Sequence, residues 1–167
     1  MNLDIEVQEL LPRDWQRLRT LRLAALADSP QAYGASYEVE AELPESTWRE
    51  RMSTVRYVTA IIAEQDIAVM SIEEMDGDFG ANIWLGGCWV DPSVRGQGVM
   101  RVMLNYIDSI ADERNWRCQG LGVWPNNFDA IAAYEKLGFV KRGELQESSR
   151  KPGLFFQRMI RQSPESF

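Results

Sequence analysis

The 167-residue chain contains no histidine. That absence removes the Ser-His-Asp and Cys-His arrangements, so any general base must be a carboxylate, a backbone carbonyl or ordered water. Cysteine is nearly as scarce: Cys88 and Cys118 are the only two, both in apolar stretches and with no C-x-x-C pair. Without histidine or paired thiols no metal site is expected, and both cysteines read as core thiols. No apolar run reaches the roughly 18 residues that span a bilayer. The start, Met1-Asn2-Leu3-Asp4-Ile5-Glu6, lacks the basic and apolar parts of an export signal, so a cytoplasmic protein without a membrane partner is expected. Positive charge is in short supply too, 18 Lys and Arg against 25 Asp and Glu for a net charge of −7. A nucleic-acid partner, whose phosphates need clustered cations, is therefore not expected.

What remains is ordinary for a soluble protein, 45% hydrophobic and 26% charged. The length suits one domain over residues 1–167. Its organising stretch is Val90-Asp91-Pro92-Ser93-Val94-Arg95-Gly96-Gln97-Gly98-Val99-Met100-Arg101. Before it, Ile83 to Val90 is apolar and rich in β-formers, a buried strand in which Gly86-Gly87 suggests a bulge. After it, Val99, Val102, Met103, Tyr106, Ile107, Ile110 and Ala111 recur with helical spacing. Strand, two-glycine turn and helix together make an anion site. The first helical N–H groups are unpaired, the helix dipole favours negative charge, and glycine lets a phosphate approach the backbone. Gly98-Val99-Met100 is not the end of a Walker loop, and Arg101 stands where a Rossmann fingerprint needs its third glycine.

Around this centre the pattern predicts a strand at Leu3 to Val7, then an amphipathic helix from Pro12 to Ser29-Pro30. A loop follows over Gln31 to Glu40, and a short helix begins near Ser46 with Trp48 and Met52 inside. Tyr57 to Ala63 and Ile67 to Ile72 read as a hairpin. Cys118 to Trp124 reads as a strand, Asn127 to Leu137 as a helix, and Phe139 to Leu145 and Leu154 to Ile160 as strands. From Gln162 onward a frayed tail is expected.

Two segments resemble the GNAT superfamily of N-acetyltransferases. Arg95 and Gly98 match the R/Q-x-x-G-x-G/A signature, with Met100 in place of its last small residue. Further on, Asn127, Ala130, Tyr134, Glu135, Lys136, Gly138 and Phe139 fall in register with N-x-x-A-x-x-x-Y-E-K-x-G-F. The resemblance spans about residues 57 to 145. It implies an α/β fold with a mixed, mostly antiparallel central sheet of about seven strands, flanked by about four helices and splayed between its fourth and fifth strands.

It also implies an acetyl-coenzyme A-dependent enzyme acting on an amine. The pyrophosphate would lie on Arg95, Gly96, Gln97, Gly98, Val99, Met100 and Arg101, with Lys136 and Arg142 as candidates for the ribose phosphate. The pantetheine arm would pair with the Cys88-Trp89-Val90 backbone and meet Asn127. The Val90 N–H would polarise the thioester, and the Tyr134 hydroxyl would protonate the leaving sulfur. Acceptor selection falls to Tyr33, Tyr37, Glu38 and Trp48 as an aromatic, acidic pocket for an ammonium group, with core as the alternative reading of Tyr37 and Trp48 and the favoured one for Trp48. No carboxylate stands on the fourth strand, and Gly122 occupies the position of a fifth-strand Glu used by some members. Glu38, Glu40, Glu73, Glu74 or a water chain remain as bases. Transfer of another acyl group, or a silent acyl-coenzyme A-binding module, is the alternative reading. A homodimer is compatible with either.

Overall fold

A computed structural model describes residues 3–33 and 35–164. The chain runs β1 (Glu6–Leu10), α1 (Trp15–Asp28), α2 (Tyr37–Ala41), α3 (Glu45–Thr54), β2 (Arg56–Ile62), β3 (Gln65–Glu74), β4 (Ile83–Val90), α4 (Val99–Arg114), β5 (Cys118–Val123), α5 (Phe128–Lys136), β6 (Val140–Glu147) and β7 (Phe155–Gln162). The strands form a 7-stranded sheet in the order β1-β2-β3-β4-β5-β7-β6. Every neighbouring pair is antiparallel except β4 and β5.

Alternation along the strands divides the core between the two faces of the sheet. Ala68, Met70 and Ile72 of β3 join the cluster that buries Val99, Met103, Leu104, Ile107 and Ala111 of α4. Val69, between them, joins Leu18, Leu21, Ala25, Trp48 and Met52 from α1 and α3 on the other face. Fully burying side chains of this size stabilises the fold by about 1.5–3 kcal/mol each.

The parallel pair is short. Ile83, Trp84 and Leu85 face Gln119, Gly120 and Leu121, and pairing stops there. The cause lies in the next two residues. Val69 faces Trp89 while Ser71 faces Gly86, so Gly87 and Cys88 stand opposite Met70 alone. That is a β-bulge, and a bulge bends its strand and increases the local twist. Gly86-Gly87 thus turns β4 away from β5 directly after the last paired residue, which opens the sheet between them.

Three expectations need correction. β1 begins at Glu6 rather than Leu3, because its register is set by β2, where Val7 faces Ala60 and Leu10 faces Tyr57. The stretch read as loop contains α2, whose only buried residue is Glu40. Gln162 belongs to β7, and the Ser163 N–H still donates to the Arg117 carbonyl at 2.8 Å. The remaining tail, residues 165–167, lies outside the described residues, as does Gly34 of the early loop.

Candidate functional site

The turn between β4 and α4 is held by polar clips. Asp91 accepts from both the backbone and the hydroxyl of Ser93, at 2.9 and 2.7 Å. Arg95 Nε donates to the Val90 carbonyl at 2.9 Å, and its guanidinium also pairs with Asp28 at the end of α1. Trp89 Nε1, then Arg95, donate to Asp28 and lower the pKa of that carboxyl. Gly96 and Gly98 take left-handed backbone angles, φ 73° and 84°, with Gly98 as the N-cap of α4. A Cβ would meet nothing within 4 Å at either position, so conformation rather than crowding favours glycine there. The helical ladder opens with Val102 N–H donating to Gly98 at 3.1 Å. The N–H groups of Val99, Met100 and Arg101 therefore precede it and form a donor cluster at the positive end of the helix. Met100 packs its side chain on the core, leaving its backbone in that cluster.

Beside this loop β4 offers an open edge. The Asp91 N–H donates to Ile67 across the β3 side at 2.8 Å. By alternation the Val90 N–H points the other way, toward the gap left by β5. The Trp89 side chain is buried against α1 and α3, and by the same alternation its backbone groups face β3 rather than the gap.

On the far side of the gap stands α5. Asn127 caps it, its Oδ1 accepting from the Ala130 N–H at 3.2 Å. At its other end the Phe139 N–H donates to the Tyr134 carbonyl at 3.0 Å, and the Gly138 N–H to that of Glu135 at 3.1 Å. This pair of bonds is a Schellman motif, with Gly138 at φ 100° in the position that favours glycine. The apolar contact that accompanies such a motif is here Phe139 edge-on against Tyr134, ring centroids 5.8 Å apart. Gly138 and Phe139, both in register with the family segment in the sequence, therefore fix the Tyr134 ring. Arg101 ties the two helices together, Nη2 donating to the Lys136 carbonyl at 3.2 Å.

Tyr134, Asn127, Ala130, Gly86, Gly87 and Cys88 line one end of a cavity of about 1080 Å³. The Gly96–Gly98 turn lies outside it, on the surface beyond Val90. Burial, followed by the neighbouring Cys88 thiol, raises the Tyr134 pKa well above its usual value, so the phenol stays protonated. Burial likewise pushes the Cys88 thiol up to about 11. Tyr33 reaches the same end and donates to the Cys88 carbonyl at 2.9 Å.

The cavity continues toward α2, α3 and the loop between β6 and β7. Glu40 accepts from Arg22 at 3.2 and 3.3 Å and from Arg51 at 2.7 Å. Burial alone would raise its pKa, but the two arginines outweigh this and lower it. Arg51 lies over the Trp48 ring, 4.8 Å from its centroid, and Trp48 is fully buried.

Tyr37 and Glu38 are not in this cavity. They face a shallower depression with Arg150 and Lys151, because α2 turns Glu40 inward and leaves them on the surface. Among the four candidate bases, Glu73 lines the cavity and Glu74 accepts from Trp116 at 2.9 Å. Glu40 is ion-paired and Glu38 lies outside. A side chain at 122 has no room, since a Cβ there would meet Phe156 at 2.8 Å. Arg142 sits on β6, separated from β5 by β7 and so two strands from the gap. The sequence pointed to neither Arg22, Arg51 nor Tyr57 as cavity residues; they come from α1, α3 and β2 and share no local motif.

A turn with three backbone N–H groups ahead of the helical ladder, the Val90 N–H at the gap and a protonated phenol beside Cys88 thus lie on neighbouring elements. A sequence model of the acetyltransferase (GNAT) family matches residues 15–139, and the chain belongs to that family. The fold agrees. An acetyltransferase of the GNAT family from Streptococcus pneumoniae superposes with a TM-score of 0.74 at 15% identity, over 96% of this chain and 100% of that one. PaiA N-acetyltransferase from Thermoplasma acidophilum, in complex with coenzyme A, gives 0.66 at 16% identity over 96% and 99%. A spermidine N-acetyltransferase SpeG chimera from Vibrio cholerae and hSSAT gives 0.69 at 18% identity over 95% of both chains. No helix among the described residues is long and apolar enough to cross a membrane.

Proposed function

We propose that this acyltransferase-family protein is an N-acetyltransferase. It would move the acetyl group of acetyl-coenzyme A onto a primary amine of a small molecule or peptide, by direct attack in a ternary complex. The observation that carries this reading is the Tyr134 hydroxyl, held protonated beside Cys88 at the opening between β4 and β5.

When bound, acetyl-coenzyme A supplies an activated thioester. The residues present fit it. The N–H groups of Val99, Met100 and Arg101, reached over Gly96, Gln97 and Gly98, suit a diphosphate, and Arg95 holds that loop to Val90 while adding positive charge. The Cys88-Trp89-Val90 edge suits an extended arm that adds to the sheet as a strand. Asn127 spends Oδ1 on its cap and keeps its amide N–H groups for the arm. The Val90 N–H stabilises negative charge developing on an acyl oxygen, and Tyr134 gives its proton to the departing sulfur. The amine must lose a proton to attack. Glu73 is level with Trp84 on β4, four residues before Cys88, so it would receive that proton through water.

We read the chain as one transferase domain that binds an acyl donor and an amine. A thiol-release assay with acetyl-coenzyme A and an amine library tests the reading. Thiol release that depends on an amine supports it, whereas tight donor binding with no release for any amine points to a silent acyl-coenzyme A-binding module.

A further inference from the structure

Among the charged side chains that line the cavity, cations outnumber carboxylates. Arg22, Arg51, Arg150 and Arg158 line it, against Glu40, Glu73 and Asp78. The ion pairs of this wall join Arg22 and Arg51 to Glu40, and Arg158 to Asp78. Among the described residues that leaves Arg150 without a carboxylate.

Several further donors are also unspent. Arg22 gives Nε and Nη2 to Glu40, while its Nη1 lies beside Gly87, 3.3 Å from where a Cβ would stand. Arg51 commits only Nη1 to Glu40. The fully buried Trp48 indole N–H has no partner. Tyr57, on the same wall, makes no side-chain hydrogen bond among the described residues, and burial, only partly offset by the positive charge of Arg51, Arg22 and Arg150, raises its pKa. In a protein of net charge −7, this is a local reversal of sign. Among the described residues Trp48 Nε1 and Arg158 Nε are the cavity's buried donors without a partner, at a cost of about 1–3 kcal/mol each, and the more open donors beside them add to an excess that favours an acceptor-rich group. A polyamine brings only donors and would meet a single free carboxylate, Glu73.

We propose that the acceptor is an amine that also carries a carboxylate, an amino acid or a close relative. Its carboxylate lies among Arg22 Nη1, Arg51, Tyr57 and Arg150, and its amino group is directed toward Cys88 and Tyr134. This rests on the N-acetyltransferase reading and adds a substrate class to it. Tyr57 and Arg150 are the residues to change, because neither holds another part of the fold in an ion pair.

The test is thiol release from acetyl-coenzyme A with glycine, glutamate and phenylalanine, with their carboxamides, and with phenethylamine and spermidine. The carboxylate-bearing amines should exceed their carboxamides at least tenfold in kcat/KM. Tyr57→Phe and Arg150→Gln should each raise KM for them about tenfold, roughly the loss of one charge-assisted hydrogen bond. Neither should change kcat, the KM for acetyl-coenzyme A or the KM for the carboxamides. Preference for spermidine or the carboxamides, or variants that weaken both classes alike, overturns the inference while leaving the transferase reading intact. If no amine releases thiol, that reading fails first. Calorimetry with N-acetylglutamate and N-acetylphenylalanine against their amides then judges the anion site alone, and equal affinity overturns it.

Discussion

The two ends of the cavity are built from different materials. The Tyr134 end is shaped by backbone, a two-residue bulge in β4 and a Schellman turn that sets the Tyr134 ring, with the left-handed glycines before α4 just outside it. The other end is side chains from distant segments, with Glu40 of α2 clamped between Arg22 of α1 and Arg51 of α3. Backbone groups stay where the fold puts them and survive most substitutions, whereas side-chain groups can be exchanged one at a time.

The largest expected effect separates chemistry from binding at the first end. Tyr134→Phe should lower kcat by about 10²–10⁴-fold, the usual loss on removing a general acid, with the KM for acetyl-coenzyme A nearly unchanged. A variant turning over at the wild-type rate would remove Tyr134 from the mechanism. Because the Tyr134 pKa is raised, its acid form persists above its ordinary value of 10, so wild-type kcat should show no alkaline fall from this group below pH 10.

The opposite end should fail through stability. Glu40→Ala leaves two arginines without their shared carboxylate and should cost about 3 kcal/mol or more, read as a lower urea midpoint at pH 7. The sign with pH follows from the lowered Glu40 pKa. Its stabilisation is complete above the ordinary value of 4.5 and is lost as the pH falls through the lower folded value, so the variant's deficit should shrink near pH 3. A deficit independent of pH would assign the loss to packing instead.

Smaller effects refine the Tyr134 end and the turn just outside it. Gly98→Val forces a branched side chain into φ 84° and should cost about 1–2 kcal/mol, appearing mainly as a rise of about tenfold in the KM for acetyl-coenzyme A. An unchanged KM would mean that the loop angle does not matter for binding. The least visible change is chemical. With its pKa near 11, Cys88 should be only about one part in a thousand thiolate at pH 8, so alkylation by iodoacetamide should be far slower than for a free thiol. Rapid alkylation at that pH would show that the Cys88–Tyr134 end is open to water.

The same division decided what could be read in advance. The β4–α4 turn and α5 were legible because each is a local pattern, a fixed spacing of glycines, apolar residues and a cap within about a dozen positions. Gly86-Gly87 announced its bulge for the same reason. The part that went astray was the approach to the cavity. Tyr33, Tyr37 and Glu38 look alike in a polar stretch, yet Tyr33 reaches the Cys88 carbonyl while the other two turn outward with α2. Glu40, weighed only as a base, became the ion-pair partner of two arginines. Nothing within a few residues of Arg22, Arg51 or Tyr57 signals that they share a wall, because their meeting depends on how α1 and α3 cross the sheet.

The sequence by itself determined the two-glycine turn, the helix that carries Tyr134 and the absence of any histidine chemistry, while the mixed sheet was implied by the family resemblance. The first three follow from local periodicity, glycine spacing or composition. Only the tertiary structure decided that the bulge parts β4 from β5, that Gly138 and Phe139 aim Tyr134, and that an acidic chain lines part of its cavity with unpaired donors. Those outcomes depend on which distant residues are pressed together when two cores form on opposite faces of one sheet, and no spacing along the chain encodes that.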